Sequence, residues 1–213
     1  DVIGAGSGPS GFAAAVTAAR NGAKTLIIEA QSGVGGISTS GLMSHFTGRV
    51  DSRLYSEILE RSHKQDFFKC DDKVRIDPEL LKNTYLEMLQ AARVDILLYT
   101  LVCDVIKNGD RVCGVITENK SGRRAYLADV LIDATGDGDL ACRAGAEYFK
   151  GRESDGKMQP ATLMFKVGGV DMSRAVFPPS FETTVKTDKG ELQALAKKLL
   201  PYPAGHVLLY AST

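Results

Sequence analysis

The sequence has no tryptophan, and only three histidines and four cysteines among 213 residues. It has no excess of either charge, since 26 Lys and Arg stand against 26 Asp and Glu. That balance provides no global field to draw nucleic acid or an anionic membrane surface. No apolar run approaches the roughly 18 residues that a transmembrane helix needs. The cysteines, Cys70, Cys103, Cys113 and Cys142, lack C-x-x-C or any other metal-ligand spacing. They read as reduced, mostly buried thiols in a cytoplasmic protein. Cys103 and Cys113 flank a hairpin turn that would put them on opposite faces, so a bridge between them is not expected. Asp137 and Asp139 have no further ligand nearby, so no metal site is expected either. The composition is otherwise that of a globular chain, with 44% apolar and 24% charged residues.

Glycine is plentiful, at 22 residues, and several fall in the opening stretch "DVIGAGSGPSGFAAA". Two frames of a glycine fingerprint compete there. Counting from Gly4 gives a motif broken by Pro9, whereas Gly6, Gly8 and Gly11 give a complete G-x-G-x-x-G. In the Gly6 frame an apolar strand, "DVIGA", precedes the motif. A helix from Pro9 to Asn21 follows, with Pro9 in its first turn, Phe12, Val16 and Ala19 on one face, and Gly22 as its stop. "AKTLIIEA", Ala23 to Ala30, is a second buried strand. Strand, helix and strand in this space make a βαβ unit with a parallel pair. Gly6 permits the tight turn, Gly8 lets a pyrophosphate approach the backbone, and Gly11 lets the helix pack on the strand. The helix N-terminus offers N–H groups and partial positive charge, and Ser10 can add a hydroxyl. Glu29 ends the second strand 18 positions after Gly11, where a carboxylate accepts hydrogen bonds from ribose hydroxyls. The pattern predicts dinucleotide binding without deciding between NAD and FAD.

Residues 31–50, "QSGVGGISTSGLMSHFTGRV", read as a long loop of the kind that usually carries function. Gly35 and Gly36 can lie against a large cofactor, and Thr39 can donate a hydroxyl. Helices are expected at about 51–63 and 78–93, the second with Asp77 as N-cap and Pro78 at N1. Residues 95–134 read as a β-meander, "DILLYT", "LVCDVIK", "RVCGVITE" and "RRAYLADVLIDA", turning at Asn108-Gly109 and Ser121-Gly122. "TGDGDLACRAGAEY" is a glycine turn and a short helix. Past residue 150 the texture changes, with a strand expected at "LMFKVGGV" and a helix at "KGELQALAKKLL". These features predict an α/β fold: a Rossmann-like FAD/NAD(P)-binding domain with an inserted β-meander at 1–150, then the start of a smaller substrate domain at 151–213. Both ends read as cut, with the later part of the substrate domain missing.

The segments "GSGPSG", "IIEA", "GGISTSG", "TLVCDVI" and "VLIDATGDGDLACRAGA" together resemble the FAD-dependent oxidoreductases with the glutathione-reductase-type FAD fold. More closely, they resemble relatives of the fumarate reductase and succinate dehydrogenase flavoproteins. The resemblance implies FAD as cofactor. It implies that Gly6, Gly8, Pro9, Ser10 and Gly11 face the pyrophosphate and that Glu29 and Ala30 meet the adenosine ribose. It further implies that Gly35, Gly36 and Thr39 lie along the pyrophosphate and flavin side and that the Val102 backbone contacts the adenine. Ala134, Thr135, Gly136 and Asp137 would close over the ribityl end.

His45 follows the Gly35-Gly36 loop, where the flavin ring would lie, and is the candidate catalytic residue, able to stabilise a reduced flavin or pass a proton. An exposed loop histidine is the plainer reading. His63 and His206 read as structural. Arg49, Arg53 and Arg152 could bind a carboxylate substrate or simply form a solvated face. Asp137 and Asp139 read as a helix cap and a cofactor contact. The expected function is hydride transfer between FAD and a small organic substrate. An NAD-dependent dehydrogenase and a non-catalytic flavin- or nucleotide-binding subunit are the alternatives. Nothing in the sequence speaks to oligomeric state.

Overall fold

A computed structural model describes residues 1–43, 45–47, 50–62, 73–159, 161–171, 173 and 186–191. His63, Arg49, Cys70, His206 and all but the first three residues of the helix expected at 189–200 lie outside them. The chain forms two compact units, Asp1–Met164 and Phe165–Thr213. The first unit therefore runs past residue 150, where the composition shifts.

In the first unit the elements run β1 (Val2–Ala5), α1 (Pro9–Arg20), β2 (Thr25–Ile28), a 3-10 turn (Gly36–Ser38), β3 (His45–Thr47), α2 (Arg53–Ser62), β4 (Lys73–Arg75), α3 (Pro78–Ala91) and β5 (Asp95–Leu97). They continue with β6 (Leu101–Asn108), β7 (Arg111–Asn119), β8 (Gly122–Leu127), β9 (Val130–Asp133) and α4 (Asp139–Ala144). Four strands form a parallel sheet in the order β5-β2-β1-β9. This sheet has a different layer on each face, which explains the unbroken apolar run "LII" in β2. Ile27 packs with Phe12, Val16, Tyr85, Met88 and Leu89 on the helical side. Its neighbour Ile28 packs with Ile3, Ala5, Val102 and Val115 on the side of the three-stranded sheet β6-β7-β8. Alternation sends adjacent strand residues to opposite faces, and a strand buried on both sides reads as continuously apolar. Each large side chain so buried contributes about 1.5–3 kcal/mol.

The helices form where their caps and apolar faces say they should. Asp77 accepts hydrogen bonds from the N–H groups of Glu79 (2.8 Å) and Leu80 (3.3 Å), and Pro78 opens α3. Phe12 of α1 stacks on Tyr85 of α3, with ring centroids 3.8 Å apart and planes 9° from parallel. Burial pushes the Tyr85 phenol up to about 12. At the surface Arg20 meets both carboxylate oxygens of Glu57, which also pairs with Arg61. These half-exposed pairs orient α1 and α2 while adding at most about 1 kcal/mol each.

Three expectations are corrected. Residues 95–134 are not one meander, because β5 and β9 belong to the parallel sheet and only β6, β7 and β8 pair antiparallel. The chain leaves the parallel sheet where Tyr99, at φ +51°, and Thr100 donate their N–H groups to Gln31 and Glu29. It returns where Ala128 donates to Cys113 and Asp129 and Val130 both donate to Asp1. The segment expected as a strand at 163–170 has no strand. In the second unit, Gly190–Glu191 is not helical: it forms β11, paired antiparallel with β10 (Lys186–Thr187). Cys103 and Cys113 are free thiols, each at an irregularity in the β6–β7 register.

Candidate cofactor site

The order of strands fixes where a ligand can sit. From β1 the chain crosses through α1 to β2 on one side, while β9 lies on the other. The carboxyl ends of β1 and β9 therefore flank a switch point, the place where open α/β sheets bind ligands. Gly6 follows β1 and Ala134 follows β9, and Ala134 donates its N–H to the Ala5 carbonyl (2.8 Å).

The backbone requires glycine at the first and last positions of the Gly6 frame, and not at Gly4. Gly6 has φ +92°, and a Cβ there would strike the Ala134 carbonyl. A Cβ on Gly11 would run into the Gly6 carbonyl and come within 3.0 Å of the Ala134 side chain. At Gly4 a Cβ would meet only Ile27 Cγ1 at 3.7 Å, an ordinary contact. Gly8 differs from all three, with no atom within 4 Å of its would-be Cβ. It is the N-cap of α1, in extended conformation, with no side chain capping the helix and no acidic residue in the first turn. Open space over an uncapped N-terminus is what an anion needs. Pro9 lacks an N–H, and Phe12 N–H turns back to Gly8 O. The N–H groups of Ser10 and Gly11 are left as the donors of that first turn.

The loop after β2 closes against this turn. Gly35 donates its N–H to the Ser7 carbonyl (2.8 Å), and a Cβ on Gly36 would come within 2.9 Å of Gly8 Cα. Thr39 is almost fully buried and donates its hydroxyl to Val34 O at 2.6 Å. Its hydroxyl hydrogen thus secures the loop and is not offered to a cofactor, contrary to the expectation from the sequence.

Glu29 lies just past β2 and is 7% exposed. Its Oε2 accepts hydrogen bonds from Ser7 N (2.8 Å) and Ser7 Oγ (2.6 Å), and its Oε1 accepts from Gln31 N (2.8 Å). A carboxylate has about four acceptor positions, so Oε1 keeps one for a ligand hydroxyl. Ala30, next in the chain, is exposed. Val102 is buried in β6, and the turn leading to it is tied to Glu29 through Thr100 N–H (2.9 Å). Ser7 is the residue that sequence reasoning missed. It occupies a variable position of the motif, and no periodicity marks a side chain whose partner stands 22 residues away.

The third glycine segment is organised by Asp133, also missed. Asp133 Oδ1 accepts from Thr135 N (3.0 Å) and Thr135 Oγ1 (2.7 Å), and Oδ2 accepts from Ala141 N (2.7 Å). Asp139 N–H in turn donates to Thr135 Oγ1 at 2.9 Å. The strand carboxylate therefore anchors α4, whereas the exposed Asp137 and Asp139 do not cap it and the N-cap is Gly138. Burial raises the Asp133 pKa, but the hydrogen bonds from Ala141, Thr135 and Leu140 outweigh it and hold the carboxyl below its ordinary 3.8. Its contribution to stability is complete above that ordinary value and fades as pH falls through the lower folded value. Asp133→Asn should cost about 1 kcal/mol at neutral pH and flatten the acid limb of a plot of stability against pH. Unchanged stability at every pH would contradict the anchoring role.

His45 opens β3 and is half-buried, opposite Arg75 of β4, so it lies in a strand of a two-stranded antiparallel sheet and not in a free loop. Arg53 opens α2, and Arg152 is paired with Asp155. Among the described residues no cluster of His, Cys, Asp or Glu could hold a metal, and no helix is long and apolar enough to cross a membrane.

Three separate glycine segments thus meet at one point, around an uncapped helix N-terminus and a buried carboxylate. The family model of FAD dependent oxidoreductases matches residues 1–205. The chain belongs to that family. The cofactor to which its cradle is fitted is FAD. Its glycine turns, helix N-terminus and buried Glu29 suit the pyrophosphate and ribose of that dinucleotide. The chain is 32% identical over 151 residues to a thiamine thiazole synthase of Methanococcus maripaludis, covering 64% of this chain and 55% of the relative. A thiamine thiazole synthase of Methanococcus vannielii is 33% identical over 151 residues, with 64% and 56% covered. The chain thus spans a little over half the length of these curated relatives. The fold is similar to that of THI4 from Thermovibrio ammonificans, with TM-score 0.55, 21% identity, and 67% and 60% of the two chains covered. It is also similar to a geranylgeranyl bacteriochlorophyll reductase-like protein of Thermoplasma acidophilum, with TM-score 0.53, 19% identity, and 69% and 42% covered.

Proposed function

We propose that this FAD dependent oxidoreductase chain is the cofactor-holding part of a flavin enzyme that transfers a hydride to or from a small organic substrate. The observation that carries the reading is the open, uncapped N-terminus of α1 at Gly8, set beside the buried Glu29. The Ser10 and Gly11 N–H groups would bind the pyrophosphate, assisted by the helix dipole. Glu29 Oε1 would accept from the adenosine ribose. Gly35 and Gly36 would wall the pyrophosphate, the Val102 backbone would border the adenine, and residues Ala134, Thr135, Gly136 and Asp137 would border the ribityl chain. When bound, the isoalloxazine supplies the redox chemistry, and the protein supplies position and electrostatics. His45 is the candidate to hold or move a proton on the flavin side. The motif set supports a glutathione-reductase-type FAD fold related to the fumarate reductase and succinate dehydrogenase flavoproteins.

The purified full-length protein should be yellow, and its flavin absorbance should bleach when a chemical reductant is added and return on reoxidation by substrate or oxygen. A colourless protein that takes up no added FAD would sink this reading. The resemblance to two thiamine thiazole synthases supports a narrower second reading, formation of a thiazole. It is favoured if the holoprotein yields a thiazole product and shows no turnover-linked bleaching.

A further inference from the structure

We infer that Ser7 is a positioning residue for the Glu29 carboxylate, and that its hydroxyl sets how strongly the site holds the adenosine ribose. The inference rests on the FAD reading above. Ser7 is fully buried, and its peptide unit and side chain make three separate connections. Its carbonyl accepts from Gly35 N–H (2.8 Å), its N–H donates to Glu29 Oε2 (2.8 Å), and its hydroxyl donates to the same oxygen at 2.6 Å. The first two are backbone contacts that any residue would keep. The third depends on serine.

That third contact has the short length of a charge-assisted O–H···O⁻ bond. It matters because Glu29 is buried, and among the described residues the donors that meet it are all neutral: Ser7 N, Ser7 Oγ and Gln31 N. Two donors fix Oε2 and one meets Oε1, which sets the plane of the carboxylate and aims the open position of Oε1. Without the hydroxyl, Oε2 keeps a single donor and the carboxylate can turn. Its remaining acceptor position then no longer has one direction. The effect of Ser7 on a ligand is therefore transmitted through Glu29 and should be felt by the ribose hydroxyl alone.

The test is a cycle of two proteins and two ligands. Affinity is measured for FAD and for the FAD analogue lacking the adenosine 2′-hydroxyl, using the full chain and Ser7→Ala. Positioning through Glu29 predicts that Ser7→Ala weakens FAD on the order of tenfold and weakens the deoxy analogue by less than about twofold. Equal weakening of both ligands, or none of either, would overturn the inference, since a merely structural role cannot distinguish them. If Ser7→Ala does not fold, Ser7→Cys, with similar volume and a weak donor, is read in the same way. Failure of the unaltered protein to bind either flavin would instead refute the FAD reading, and the role of Ser7 with it.

Discussion

Gly11→Ala should lower the thermal midpoint by roughly 2–8 °C. The added methyl has nowhere to go. It would run into the Gly6 carbonyl and stand 3.0 Å from both Gly6 C and Ala134 Cβ. These obstacles are two backbone atoms and the stub of a side chain, so no rotamer change relieves them. Gly6 is itself pinned, since its N–H donates to Ile28 O at 2.7 Å. To make room, α1 must move off the sheet, which disturbs the packing of Phe12 on Tyr85 and of Val16 in the helical-side core. Alanine's better helix propensity returns about 1 kcal/mol. Overpacking in such a site costs about 1–3 kcal/mol and sometimes more, and the second cost prevails. Differential scanning calorimetry of the two proteins measures it. A midpoint within about 1 °C of the original would mean that α1 does not pack on β1 as described.

Gly8→Asp should do the reverse, leaving the fold intact and abolishing useful FAD binding. Gly8 has φ −60° and ψ 179°, which any L-residue adopts, and open space where its Cβ would be. Aspartate is also a better N-cap than glycine by a few tenths of a kcal/mol. The stability of the ligand-free protein should therefore hold or rise slightly. The new carboxylate would occupy the N–H groups meant for the pyrophosphate and set a like charge beside it. Two such charges about 4 Å apart repel by roughly 4 kcal/mol near a protein surface. FAD affinity should fall at least about a hundredfold, as read by quenching of flavin fluorescence. Retained affinity would show that the pyrophosphate lies elsewhere.

The contrast between these two glycines shows what the sequence could reveal. Spacing distinguished Gly6, Gly8 and Gly11 from Gly4, and the apolar runs placed β1, α1 and β2, because these features obey local rules of period and turn. The Asp77 cap was legible for the same reason. Glu29 was legible by position, but its partners were not. The Ser7 hydroxyl and the Asp133 carboxylate act through tertiary contacts that leave no periodic trace. Thr39 looked like a donor to a ligand because it sits in a glycine-rich loop, yet the loop consumes its hydroxyl internally. Alternation identified strands in 95–134 without naming their partners, so the departure of β5 and β9 to the parallel sheet was hidden. What decides it is a few backbone bonds, such as those from Asp129 and Val130 to Asp1.

The central claim is that Gly6, Gly8 and Gly11, the α1 N-terminus and Glu29 together hold FAD. Titration of the chain with FAD, followed by flavin fluorescence and run beside an equal titration with NADH, tests it most directly. Saturable quenching by one FAD per chain, with NADH unable to displace it at equal concentration, is the predicted result. No saturable uptake of FAD, or preferential binding of NADH, would contradict the claim.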